Sequence, residues 1–284
     1  EALPNAHGTA PGFLWQDPEG WPGRTVVLMP GVPREMKGMW EAVVEPRLAA
    51  RAGAPVHTLR LLTCRIPEST LEDRSRGLRE RHGHLDWTIL SSQAQVELQA
   101  RSRDLGALAA AEGDFRALLG EDLVCVGSGS IESTVLATLE ARGETLAVAE
   151  SVTGGLLAAR LTALPGASRA FLGGAVAYAA EAKVQLAGVD PAVLRGHGTV
   201  AEATSLALAE GIRRRLGSTW GIGITGNAGP EADPGGQAPV GAIFLAVAGP
   251  RGSSTFAYAF PGARGDIQLR AAAYGLDLLR RQLK

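Results

Sequence analysis

The stretch AESVTGG, residues 149–155, sets Ser151 between an acid, Glu150, and a Gly154–Gly155 pair. The apolar run LAVA precedes it and LLAARLTAL follows, so the serine falls at a strand-to-helix turn, at the carboxyl end of the strand. Open α/β sheets place their sites there, and the helix start presents backbone N–H groups that favour negative charge. The two glycines let the main chain approach a ligand closely. Two readings follow. Ser151 or Thr153 caps the helix, the commoner role for such residues, or Ser151 is a nucleophile and needs a base.

Histidine does not supply that base. His7, His57, His82 and His84 lie outside the segment carrying Ser151, and His197 is read as a loop residue in RGHGTV. Lysine is the usual alternative when burial keeps it uncharged. Lys37, Lys183 and Lys284 are the three lysines of the chain, and Lys183, in GGAVAYAAEAKVQLAGV, is the one inside this segment. The competing reading is a solvated helix lysine paired with Glu181 or Glu150. Further along, GITGNAGPEADPGGQAPVGA (223–242) is a strand end with a Gly-rich loop holding Thr225, Gly226, Asn227 and Gly229. Its amides suit a phosphate or an oxyanion. Arg264 opens the last helix, in FPGARGDIQLR, and can meet an anion.

The elements that must position these residues follow from periodicity. Residues 128–284 alternate helix and strand: helix 131–142 capped by Ser130, strand 145–149, the helix after Ser151, and strand 173–178. Helices 179–186, 191–195 and 201–216 come next, then strand 220–226, a hairpin near 240–248 and 253–260, and a closing helix 264–283. This predicts a three-layer α/β/α domain with a mixed sheet. Residues 52–127 read as a small α+β domain with strand 55–66, a polar-faced helix 68–81, strands WTIL and QVELQARS, and a helix interrupted at Gly113. Residues 1–51 hold a short strand, 24–30, and a helix from Pro33 with Met36, Met39, Trp40 and Val43 at helical spacing, part of an α/β domain.

Bulk composition narrows the class. Of 284 residues 45% are hydrophobic and 20% charged, with a net charge of -1, which gives no electrostatic argument for nucleic acid or an anionic membrane. The two cysteines show no metal or CxxC spacing, so a reducing cytoplasmic compartment is expected. No run reaches the length of a spanning helix, and the start has no signal-peptide layout. The chain opens on Glu1 rather than Met, as a piece of a longer protein would.

AESVTGG, GGAVAYAAEAK, HGTVAE, TGNAGP with PVGAI, and FPGAR occur in order over residues 128–284. Together they resemble the C-terminal domain of the CinA (competence/damage-inducible) proteins. LPNAHGTAPGF and LMPGVPREMKGMW resemble the end of that family's molybdopterin-binding-like domain, and residues 52–127 then correspond to its KH-like domain. The resemblance implies hydrolysis of the carboxamide of nicotinamide mononucleotide (NMN) to nicotinate mononucleotide and ammonia, in pyridine nucleotide salvage, without cofactor or metal. It makes Ser151 the nucleophile and Lys183 its general base. Thr153, Gly154 and Gly155 would hold substrate or oxyanion, and Tyr178, Thr225, Gly226 and Arg264 would surround the nucleotide. Glu150 would orient Lys183 or serve structure, and a homodimer is expected. Departures from the family pattern are Val152 for Cys, Ala179 and Ala180 for Ser and Asn, and Asn227 for Ile. The alternatives are a metal-dependent ADP-ribose pyrophosphatase acting through the N-terminal domain, of which only the last stretch is here, and a binding-only pyridine-nucleotide module. Residues 52–127 lack the GxxG clamp that nucleic-acid binding by a KH unit needs.

Overall fold

The computed structural model describes residues 1–92, 94–231 and 238–284, and the chain divides into two compact units, Glu1–Val56 and His57–Lys284. In the first, strands β1 (Ala2–Leu3), β2 (Gly12–Gln16) and β3 (Thr25–Leu28) form an antiparallel sheet in that order. Of these, β3 is legible in the sequence as the apolar run VVLM, whereas β1 has two residues and β2 lies between Pro11–Gly12 and Asp17–Pro18, which read as turn signals. Helix α1 (Pro33–Met39) starts on its proline and passes through a π turn, Trp40–Val44, into α2 (Glu45–Ala49). Pro46 has no N–H to close an α turn, and the Glu45 N–H reaches the Trp40 carbonyl five residues back. The wider turn shifts the apolar stripe. Met39 and Val44 are buried, whereas Met36 and Trp40, expected in the stripe, are exposed.

The second unit begins with β4 (His57–Cys64), α3 (Glu68–Arg81), β5 (Asp86–Ser91), β6 (Gln95–Ser102), α4 (Leu105–Leu119) and β7 (Leu123–Val126). The four strands make an antiparallel sheet in the order β5-β6-β4-β7. Asp104 caps α4 by accepting from the amides of Gly106 and Ala107. The break expected at Gly113 does not occur. Leu108, Ala111, Phe115 and Leu119 are all buried along one face, and the space around Gly113 is open, so the glycine costs only propensity.

Ser130 forms a capping box with Ser133 at the start of α5 (Ile131–Arg142). There follow β8 (Leu146–Glu150), α6 (Leu156–Thr162), β9 (Phe171–Val176), α7 (Ala180–Ala187), α8 (Pro191–His197), α9 (Glu202–Leu216) and β10 (Trp220–Gly226). The hairpin β11 (Ala242–Gly249) and β12 (Gly252–Ala259) and the long α10 (Arg264–Gln282) complete the chain. His197 ends α8 rather than lying in a loop, since Asp190 and Pro191 start a helix there.

The five strands order β12-β11-β10-β8-β9, with β10, β8 and β9 parallel and the hairpin antiparallel, so the sheet is mixed. Side chains alternate across it. Leu146 and Val148 of β8, with Trp220, Ile222 and Ile224 of β10, pack under α5, α6 and α10. Ala147 and Ala149 face α7 and α9 with Leu208 and Ile212. On that side β10 carries Gly221 and Gly223, where any Cβ would run into backbone carbonyls of α9. Small residues therefore bring one helix layer close while branched ones fill the other, giving the three-layer α/β/α arrangement expected. Among the described residues no helix is long and apolar enough to cross a membrane.

Candidate active site

Three parallel strand ends fix the serine. The Ser151 N–H donates to the Ile224 carbonyl of β10 at 2.9 Å, and the Ala177 N–H beyond β9 donates to the Glu150 carbonyl at 2.7 Å. Gly154 and Gly155 take left-handed φ of 61° and 97°, closing the turn into α6 in a conformation that side chains disfavour. The α6 amides that a cap would satisfy are already taken. Both oxygens of Glu150, itself 1% exposed, accept from them, at 2.9 Å from the Leu157 N–H and 2.8 Å from the Ala158 N–H. The capping reading of Ser151 and Thr153 thus gives way to a carboxylate cap. Thr153 is buried and its Oγ1 has no hydrogen-bond partner among the described residues.

Lys183 lies on α7 and is 1% exposed, which removes the reading of a solvated helix lysine. Its Nζ stands 3.0 Å from Ser151 Oγ and donates to the carbonyls of Ala177 at 2.9 Å and Tyr178 at 3.0 Å. Glu181 is exposed and Glu150 is turned to α6, so neither carboxylate takes the place that the pairing assigned it. Chemically, this is a hydroxyl and an amine in hydrogen-bond reach inside the protein, the geometry of an activated nucleophile.

The pair opens into a cleft of about 400 Å³. Tyr178, Gly226 and Arg264 line it with Ser151 and Lys183. Arg264 spans part of its wall, donating to the Gly229 carbonyl at 2.7 Å and to the Tyr178 hydroxyl at 2.9 Å. Thr153, Gly154, Gly155 and Thr225 are not on the lining. Thr225 is buried, and its hydroxyl donates at 2.7 Å to the carbonyl of Thr199, which is on the lining. Val200 and Glu231 also line the cleft and were not singled out by the sequence; HGTVAE, which holds Val200, carried no chemistry of its own to flag it. Asn227 organises its loop, with its Oδ1 accepting from the Gly229 N–H at 2.8 Å and its carbonyl from the Gly241 N–H at 2.7 Å. Residues 232–237 of that loop lie outside the described residues.

The model of the CinA C-terminal domain family matches residues 128–283. The chain belongs to the CinA family. Relatives called CinA-like protein are 40% identical in Frankia casuarinae, over 100% of this chain and 66% of that protein, and 40% identical in Gemmatimonas aurantiaca, over 98% and 66%. The chain thus spans about two thirds of the length of these curated relatives. A crystal structure of a competence-damaged protein (CinA) superfamily protein from Klebsiella pneumoniae is 31% identical with a TM-score of 0.52, covering 54% of this chain and 95% of that one.

Within this CinA fold the departures from the family pattern have definite places. Val152 is buried, and its carbonyl accepts from Gln268 Nε2 on α10 at 2.8 Å, tying the turn that carries Ser151 to that helix. Ala179 is the N-cap of α7 and makes no side-chain cap, and Ala180 is the first residue of that helix; neither lines the cleft.

Proposed function

We propose that this chain hydrolyses the carboxamide of nicotinamide mononucleotide, releasing ammonia and nicotinate mononucleotide. The observation that carries the reading is the 3.0 Å contact between Lys183 Nζ and Ser151 Oγ in a buried setting. An uncharged amine there gives its N–H groups to the Ala177 and Tyr178 carbonyls and turns its lone pair to the serine. The Ser151 proton passes to Nζ as Oγ attacks the carboxamide carbon. The tetrahedral adduct collapses with cleavage of the C–N bond, and Lys183 returns the proton to the departing ammonia. A water that gives its proton to the same amine then attacks the Ser151 ester; the acyl C–O bond breaks, Lys183 returns the proton to Ser151 Oγ, and nicotinate mononucleotide leaves. The cleft volume lies within the range of small-molecule sites, and Arg264 with Tyr178 offers donors for a phosphate.

The test is ammonia release from the mononucleotide. Wild type is expected to be active, and Ser151→Ala and Lys183→Ala each to lose about a thousandfold or more. Activity surviving either substitution overturns the dyad. Release of AMP from ADP-ribose with a divalent metal, and none of ammonia, would point to the pyrophosphatase reading.

A further inference from the structure

A second cavity, of about 530 Å³, lies between the four-stranded sheet and the β12–α10 corner and shares no lining residue with the catalytic cleft. One wall is aromatic. Tyr258 and Phe260 are stacked with centroids 5.4 Å apart, and Tyr274 meets both edge-on at 5.1 and 4.8 Å. Burial pushes the phenols of Tyr258 and Tyr274 up, so both stay protonated and able to donate. The other groups are donors too. Arg65 holds a left-handed φ of 68° without being glycine, and its guanidinium lies 5.7 and 5.5 Å from the Tyr258 and Tyr274 ring centres. Arg270 gives one N–H to the Pro261 carbonyl, and its other N–H groups meet no acceptor among the described residues. Gln95 Nε2 is enclosed and has no hydrogen-bond partner among the described residues, a desolvation cost that an acceptor would relieve. The lining has a single carboxylate among the described residues, Glu68, and it is exposed.

Arg65 is partnered by the Asp277 carboxylate at 3.6 Å, so the aromatic wall is faced by the Arg270 guanidinium and the unpartnered Gln95 amide, which call for a flat ring that brings anionic oxygens. We propose that this cavity is a second ligand site for a small molecule of that kind, a ring bearing phosphate or carboxylate, of the size of a nucleoside monophosphate. The experiment is equilibrium dialysis of the full chain carrying Ser151→Ala, with AMP, nicotinate, adenosine and inorganic phosphate as probes. AMP or nicotinate is expected to bind with a Kd below about 1 mM, and which of them does so tells phosphate from carboxylate. Adenosine and inorganic phosphate are expected to bind about tenfold more weakly or worse. Arg270→Ala and Gln95→Leu are each expected to weaken binding about tenfold or more, and Arg264→Ala to leave it unchanged. The proposal fails if neither ring anion binds saturably, or if inorganic phosphate binds as well as AMP. It also fails if Arg264→Ala abolishes binding that Arg270→Ala leaves intact, which would put the ligand in the catalytic cleft. Thermal melts show that each variant is folded; should Arg270→Ala not fold, Gln95→Leu decides.

Discussion

Arginine at position 183 would keep length and charge yet cannot take a proton at any working pH. Lys183→Arg is therefore expected to abolish ammonia release, by about a hundredfold or more. Measured kcat tests this, with a melt to confirm folding; retained turnover would show that the residue supplies charge rather than basicity. A second side chain is kept unreactive by burial. Burial pushes the Cys64 thiol up to about 12, so it keeps its proton at neutral and mildly alkaline pH. Cys64 should resist iodoacetamide at pH 8 in the folded protein and react once guanidinium unfolds it, as peptide mass spectrometry would read. Ser151 and Lys183 stand out as candidates in the chain, since lysine is rare and one serine sits at a strand end. The partner of Glu150 does not, because a carboxylate seven residues before an amide reaches it only through the turn between them.

Short elements depend on their ends. Helix α7 carries Lys183 yet starts at Ala179 with no side-chain cap. Ala179→Ser should supply one and raise stability by about 1 kcal/mol, seen as a higher Tm. Helix α6 shows the reverse case. Glu150→Ala leaves the Leu157 and Ala158 amides unpaired in a buried place and is expected to cost about 2 kcal/mol or more. It should also lower kcat, since the same turn places Ser151. Elements with a clear period, such as α3, β6 and β10, occupy the residues expected of them, as does α5, whose start the Ser130 cap marks. The strand β7 leaves no signal in the sequence, because LVCV is four residues long and its partner, β4, lies some sixty positions back.

Across the second unit a buried charge cluster links its two sheets. Asp277 is fully buried on α10, with its Oδ1 accepting from Arg280 Nε at 2.8 Å and its Oδ2 from Arg281 Nε at 2.8 Å. Arg280 in turn donates to the carbonyls of Glu121 and Leu123, and Arg65 stands 3.6 Å from Asp277. Asp277→Ala would strand these guanidiniums and is expected to destabilise by about 3–5 kcal/mol, as urea melts would measure. Such long-range pairings mark the limit of what local pattern holds. The sequence by itself determined the alternation of strand and helix and the mixed sheet, and marked Ser151 and Lys183 as candidates, because side-chain period and residue type are local properties. Only the tertiary structure decided that Lys183 reaches Ser151, that Glu150 caps α6 and that Arg264 closes on Tyr178. Those distances depend on strand order and on how closely Gly221 and Gly223 let α9 settle, and no window of the chain contains them.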